Sequence, residues 1–310
     1  MRMAVIGAGG IGGYFGGRLA AAGADVRFVA RGAHLDAMRR DGLRIESPQG
    51  DLTVKPVRAA ADPAELGPEP FDVVVIAVKL WGTDAAIETA RKLVGPKTAV
   101  VSFQNGIGAI PALTKAFGPE RVLGGVAHIA TAIGAPGVIR QTGAMERLTV
   151  GEPAGGISPR VTAFVEAAKR AKINAVASDD IHRAIWDKFV FLASFSGVAT
   201  LTRLPKGKIF ADPDLRRLYA DALAEAVAVG RAGGINLPLD QAEKTFQFSE
   251  GLNDSMKPSL LHDLEHGNPL EVEFLSGAVA RLGAEQGVPT PVHRTIYAAL
   301  KPYAAGQKAA

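Results

Sequence analysis

The strongest constraint on this chain is its first turn. Residues 3–6 are a short apolar run, and three glycines follow at the spacing Gly7-x-Gly9-x-x-Gly12. Residues 13–22 are rich in small side chains and read as a helix. Each glycine has a physical task. Gly7 permits a tight strand-to-helix turn, Gly9 lets backbone approach a pyrophosphate, and Gly12 lets the helix lie close on a sheet. The helix start then offers unpaired N–H groups and a positive dipole end to an anion. The spacing alone is weak, since glycine-rich turns also serve purely structural ends. Strand before and helix after supply the context that a dinucleotide site requires. Gly7, Gly9, Gly10, Ile11 and Gly12 are therefore the first candidate cofactor contacts.

Residues 25–30 read as a second strand, and Arg31-Gly32 leaves its carboxyl end. An acid there would accept from a ribose 2′-OH, whereas a cation suits a 2′-phosphate. Arg31 carries a planar fork of donors matched to phosphate, so the expected cofactor is NADPH; the alternative is a solvated loop arginine. A short helix is expected over residues 33–40, and residues 42–57 read as a hairpin turning at Pro48-Gln49-Gly50. Residues 71–78 and 98–103 are β-branched runs of the kind buried in parallel sheets. A helix is expected between them over 83–93. Lys79 follows the first run and Asn105 the second. Ligands of open α/β sheets sit beyond the carboxyl ends of strands, so both are candidate contacts to cofactor and substrate. Asn105-Gly106 is equally a common turn dipeptide. Residues 122–150 read as further strands broken at 134–137 and at Thr142-Gly143. A helix at 161–171 and a short strand at 174–177 follow.

Beyond about residue 178 strands give way to long helical stretches. The expected organisation is an α/β, Rossmann-type domain with a mostly parallel sheet over residues 1–177, followed by an all-α domain over 178–310. With 310 residues there is enough chain for two cores. The chain has no cysteine, which excludes disulfides and thiolate metal sites and fits a reducing cytoplasm. Its net charge of +4 suits an anionic small molecule. The basic residues are scattered, so no nucleic-acid partner is expected. No window holds about 18 uninterrupted apolar residues, so no membrane span is expected either. Glycines and Arg18 interrupt the apolar N-terminus, which argues against an export signal. The tail at 304–310 is alanine-rich.

Lys188 stands inside the apolar stretch 185–193, where lysine is unusual. Burial would lower its pKa and ease proton donation; the alternative is a side chain that snorkels to the surface. Asp212-Pro213 should cap and start a helix reaching about residue 233, with another over 239–253. Asn268 to Glu271 has capping-box spacing before a helix expected to run to about residue 286, which gives Glu271 a purely structural explanation. Thr290-Pro291 should start the last helix.

Taken in order, these residues form a set that resembles the ketopantoate reductases over nearly the whole chain. The pieces are Gly7-x-Gly9-x-x-Gly12, Arg31, Val78-Lys79-Leu80-Trp81, Gln104-Asn105-Gly106, Trp186-Asp187-Lys188, Ser259-Leu260-Leu261-His262-Asp263 and Pro269-Leu270-Glu271-Val272-Glu273. The resemblance implies NADPH-dependent reduction of 2-dehydropantoate (ketopantoate) to pantoate, as in pantothenate and coenzyme A biosynthesis. It implies Lys188 as general acid and Glu271 as its organiser and a substrate contact. Ser259, Lys79 and Asn105 would contact substrate as well. The implied partner is a small anionic 2-oxo acid, with a homodimer as the assembly to test. The family pattern often has Asn four and eight residues after the lysine; here those positions hold Leu192 and Ser196. Ser196 remains a substrate-contact candidate, but Leu192 cannot hydrogen-bond a substrate hydroxyl, so another 2-oxo or 2-hydroxy acid is the alternative substrate. A non-catalytic NADPH sensor would need neither Lys188 nor Glu271.

Overall fold

The computed structural model describes residues 1–306, so the alanine-rich tail lies partly outside the described residues. The chain divides into two compact units, Met1–Ala184 and Ile185–Ala310. The first unit holds ten strands: β1 (Arg2–Ile6), β2 (Asp25–Val29), β3 (Leu43–Glu46), β4 (Leu52–Val54), β5 (Arg58–Ala60), β6 (Val73–Ile76), β7 (Ala99–Ser102), β8 (Val122–Ala135), β9 (Val138–Gly151) and β10 (Ala175–Ser178). Its helices are α1 (Gly10–Ala21), α2 (Gly32–Asp41), α3 (Thr83–Arg91), α4 (Ala109–Phe117) and α5 (Pro159–Arg170). The strand order is β4-β3-β9-β8-β7-β6-β1-β2-β5, with β10 beside β9. Only β8–β9 and β3–β4 pair antiparallel. The sheet is thus mostly parallel, as expected.

The β-branched runs lie at its centre. Met3 pairs with Val73 and Val73 with Ala99, and every residue of β6 and β7 is buried. At the amino end of β2, Asp25 gathers Arg58 at 3.0 Å, Arg27 at 3.1 Å and Arg2 at 3.7 Å. The hydrogen bond from Arg27, helped by the charges of all three arginines, holds the Asp25 carboxyl below its usual range.

One expectation fails in the hairpin. The Thr142-Gly143 signal does not end a strand. Ile129 pairs with Glu146 and Thr131 with Gln141, so residues 142–145 form a bulge opposite Ala130, inside one continuous β9. Gly143, with φ +80°, supplies the left-handed backbone that the bulge needs.

The first compact unit ends at Ala184, a little beyond the expected change of pattern near residue 178. Helix α6 (Ile181–Thr202) starts after β10, and its first turn belongs to the first unit. Ile181 packs against Gly124 and Gly151, at positions where an added Cβ would come within 3 Å of its side chain.

The second unit is helical: the rest of α6, then α7 (Lys206–Ala211), α8 (Pro213–Ala232), α9 (Gln241–Glu250), α10 (Ser259–His266), α11 (Ser276–Gln286) and α12 (Pro291–Leu300). Asp212 caps α8 as its sequence predicts, accepting from the N–H groups of Asp214 and Leu215. The start of α12 is capped from outside: the Glu225 carboxylate accepts from Val292 N at 2.8 Å and His293 N at 3.0 Å. An aromatic cluster of Phe195, Phe210, Tyr219 and Phe246 fills the core. Trp186 is 7% exposed and meets Phe189 edge-on. Helix α6 also has the length and hydropathy of a membrane span, yet 61% of its most apolar window is buried inside the protein.

Candidate active site

The first unit gathers its candidates at the carboxyl ends of β1, β2, β6 and β7. Gly7 has φ +97°, and a Cβ there would fall 2.8 Å from Val78 Cγ1. A Cβ on Gly12 would fall 2.1 Å from the Gly7 carbonyl oxygen, so the turn closes on the helix only because both residues are glycine. Gly9 is different, since nothing among the described residues lies within 4 Å of its Cβ position. Helix α1 starts without an acid in its first turn and without a capping side chain. The N–H of Gly13 is bonded to the Gly9 carbonyl at 2.7 Å, so the N–H groups of Gly10, Ile11 and Gly12 precede the helical ladder. A site with open space, early N–H groups and no competing acid is chemically fitted to an anion. A Cβ on Gly10 would meet Thr131 of β8 at 2.5 Å, so this glycine is also a packing requirement.

Arg31 stands at the N-cap of α2, exposed, and forms no salt bridge among the described residues. The three arginines around Asp25 are engaged by comparison, so Arg31 keeps its charge available beside the turn.

Lys79 is exposed and precedes a 3-10 turn (Leu80–Gly82) carrying Trp81, which is 59% exposed. Asn105 is half-buried beyond β7. Sequence reasoning missed the residue that ties these two loops together. Gln104 is buried and donates to Val78 O at 3.1 Å and to Thr83 Oγ1 at 2.8 Å, while accepting from Ser102 Oγ at 3.0 Å. The signal was its place next to Asn105 at a strand end, where a buried amide must satisfy both of its faces.

In the second unit, Lys188 lies half-buried on α6 and Glu271 is 5% exposed. Desolvation pushes the Lys188 ammonium down to about 8, while the Glu271 charge pulls it back up. The two expectations meet here, since α6 brings the lysine and the segment before α11 brings the acid. The capping-box explanation of Glu271 does not hold. Helix α11 starts only at Ser276, a 3-10 turn (Val272–Phe274) intervenes, and Asn268 donates its side-chain amide to Asp263 Oδ1 instead of capping.

Ser196 lies two turns beyond Lys188, fully buried, with no partner for its hydroxyl among the described residues. Leu192, one turn beyond Lys188, is half-buried. Ser259 is the exposed first residue of α10, behind Pro258. That helix was not anticipated.

Comparison with known proteins gives this geometry its relatives. Residues 3–155 match the family described as Ketopantoate reductase PanE/ApbA, and residues 180–304 match its C-terminal counterpart. The chain belongs to the ketopantoate reductase family. A 2-dehydropantoate 2-reductase of Mesorhizobium japonicum is 36% identical, with 97% of both chains covered. One of Archaeoglobus fulgidus is 32% identical over 95% of each chain. The crystal structure of 2-dehydropantoate 2-reductase from Geobacter metallireducens superimposes with a TM-score of 0.91 at 30% identity, covering 97% of this chain and 99% of the other. As a ketopantoate reductase family member the chain is an oxidoreductase acting on a CH–OH/C=O pair.

Proposed function

We propose that this chain reduces 2-dehydropantoate to pantoate with NADPH, in the cytoplasm, the proton coming from Lys188. The observation that carries the reading is a lysine whose pKa desolvation brings down to about 8, with the charge of buried Glu271 acting on it in the opposite sense. Reduction leaves negative charge on the former carbonyl oxygen, and a donor with a pKa near the working pH supplies the proton efficiently. Glu271 keeps the ammonium charged despite its burial and fixes its position. A bound nicotinamide supplies the hydride. The N–H groups at the start of α1 would hold its pyrophosphate, and Arg31 the 2′-phosphate. Lys79 and Asn105, their loops tied by Gln104, are the first unit's further candidates for cofactor and substrate, and Ser259 is the second unit's.

A second reading keeps the chemistry and changes the substrate. Leu192 puts an aliphatic side chain one turn from Lys188, next to half-buried Phe191, where a hydroxyl-binding group would favour ketopantoate. That favours a 2-oxo acid with an apolar side chain. NADPH oxidation over a panel of 2-oxo acids, including ketopantoate, decides between them. Highest kcat/KM on ketopantoate supports the first reading. Preference for apolar acids supports the second, and no turnover of any panel member refutes both.

A further inference from the structure

His34, on the first turn of α2, takes no part in the site described above. It is half-buried, and both ring nitrogens are engaged by distant backbone. Nε2 lies 2.9 Å from the carbonyl oxygen of Ala8, inside the glycine-rich turn. Nδ1 lies 3.0 Å from the N–H of Gly137, in the turn between β8 and β9. The partners fix the tautomer. A carbonyl can only accept, so Nε2 carries the proton; a backbone N–H can only donate, so Nδ1 is bare. The ring is therefore neutral. Burial, the largest influence on it, lowers its pKa in the same sense, against the Ala8 carbonyl.

The Ala8 carbonyl is not an arbitrary anchor. It belongs to the Ala8–Gly9 peptide, whose plane is rigid and trans, so the Gly9 N–H points opposite to the Ala8 oxygen. Gly9 is the turn residue facing open space. Glycine on one side of a peptide makes its rotation easy, because positive and negative φ cost glycine about the same. A hydrogen bond to the Ala8 oxygen opposes that rotation and holds the Gly9 N–H in one direction. The hairpin behind His34 is itself fixed: Gly137 O accepts from Arg44 N at 2.9 Å, and a Cβ on Gly137 would lie 3.0 Å from Ala37 Cβ.

We propose that His34 is a positioning residue for the coenzyme: its bond to the Ala8 oxygen holds the Ala8–Gly9 peptide so that the turn presents a preset N–H to a dinucleotide pyrophosphate. The inference rests on the reading of this turn as the coenzyme site.

Two amide side chains separate the two bonds. Gln at position 34 reaches the place of Nε2 and can still donate to Ala8. Asn reaches only the place of Nδ1 and can still accept from Gly137. Each variant therefore loses one hydrogen bond of similar kind. Dissociation constants for NADPH and NADH, steady-state kcat and KM, and melting temperature are measured for wild type, His34→Gln, His34→Asn and His34→Leu. Net hydrogen-bond contributions correspond to about three- to tenfold in affinity. His34→Asn and His34→Leu are expected to weaken both coenzymes by about that factor, with kcat at saturating coenzyme within about twofold of wild type. His34→Gln should keep affinity near wild type even if its melting temperature falls as far as that of His34→Asn.

Wild-type affinity in all three variants would overturn the proposal. So would equal losses in the Gln and Asn variants, or losses that track melting temperature alone. If His34→Leu does not fold, the Gln–Asn contrast still decides. Wild-type protein that binds neither coenzyme would refute the reading of the turn itself, a distinct outcome.

Discussion

At the scale of single residues, Lys188 has the most to say. In the proposed reaction its protonated form is the donor, and its pKa is lowered to about 8, chiefly by desolvation. In the reductive direction kcat/KM should therefore fall as pH rises through about 8. Glu271→Gln removes the charge that raises that pKa, so the break should move to lower pH, and a pH–rate profile of the variant checks it. A profile that keeps its break in Glu271→Gln would show that the carboxylate does not act on this lysine. Lys188→Ala should cut kcat by roughly 10²–10⁴-fold while coenzyme affinity changes little, since the coenzyme candidates lie in the first unit. Arg31 permits a second test. Charge-assisted phosphate contacts are worth roughly 1.5–3 kcal/mol, so Arg31→Ala should weaken NADPH by about ten- to a hundredfold and spare NADH. Titration of both coenzymes reads the difference, and equal losses would deny Arg31 the discriminating role.

Among the elements, the first turn and α1 offer a contrast between packing and binding. Gly12→Ala places a methyl 2.1 Å from the Gly7 carbonyl, so helix and turn must separate. Overpacking of this kind costs about 1–3 kcal/mol, visible as a lower melting temperature as well as lost coenzyme binding. Gly9→Ala meets nothing within 4 Å and should melt like wild type, yet bind coenzyme poorly because the methyl stands where pyrophosphate would approach. Equal effects of the two substitutions on stability would contradict the geometry. The same elements show what was legible in advance. The glycine spacing, the buried β-branched runs and the Asp212-Pro213 cap carry their structure in local chemistry. The bulge at 142–145 was not legible, because a glycine with φ +80° reads alike in a bulge and at a strand end. The capping box at Asn268 failed for a related reason. Its spacing is local, whereas Asn268 is claimed by Asp263, which α10 supplies. The loop-tying role of Gln104 and the place of His34 went unread because they lie in partners remote in sequence, 26 residues away for Gln104 and 103 for His34.

For the molecule as a whole, selectivity and acid stability are the measurable properties. If Leu192 sets the character of the substrate contact, Leu192→Asn should raise kcat/KM on ketopantoate relative to purely apolar 2-oxo acids; an unchanged ratio across the panel would remove Leu192 from the site. Acid stability depends on His293, whose pKa is lowered, mainly by burial, to about 4 from an ordinary 6.5. Between those values the unfolded chain holds a proton that the folded one does not, so stability should decline as pH falls from about 6.5 toward 4. His293→Gln should flatten that part of the curve in a melting-temperature series. The placement of the two tryptophans decides how such an experiment can be read. Trp81 is solvent-exposed on the first unit, whereas Trp186 is buried against Phe189 in the second. Each unit thus carries its own fluorophore, one with a red-shifted emission and one with a blue-shifted emission that moves only when its core opens. Single-tryptophan variants, Trp81→Phe and Trp186→Phe, turn one protein into two separate optical thermometers. Acid should reach the Trp186 signal first.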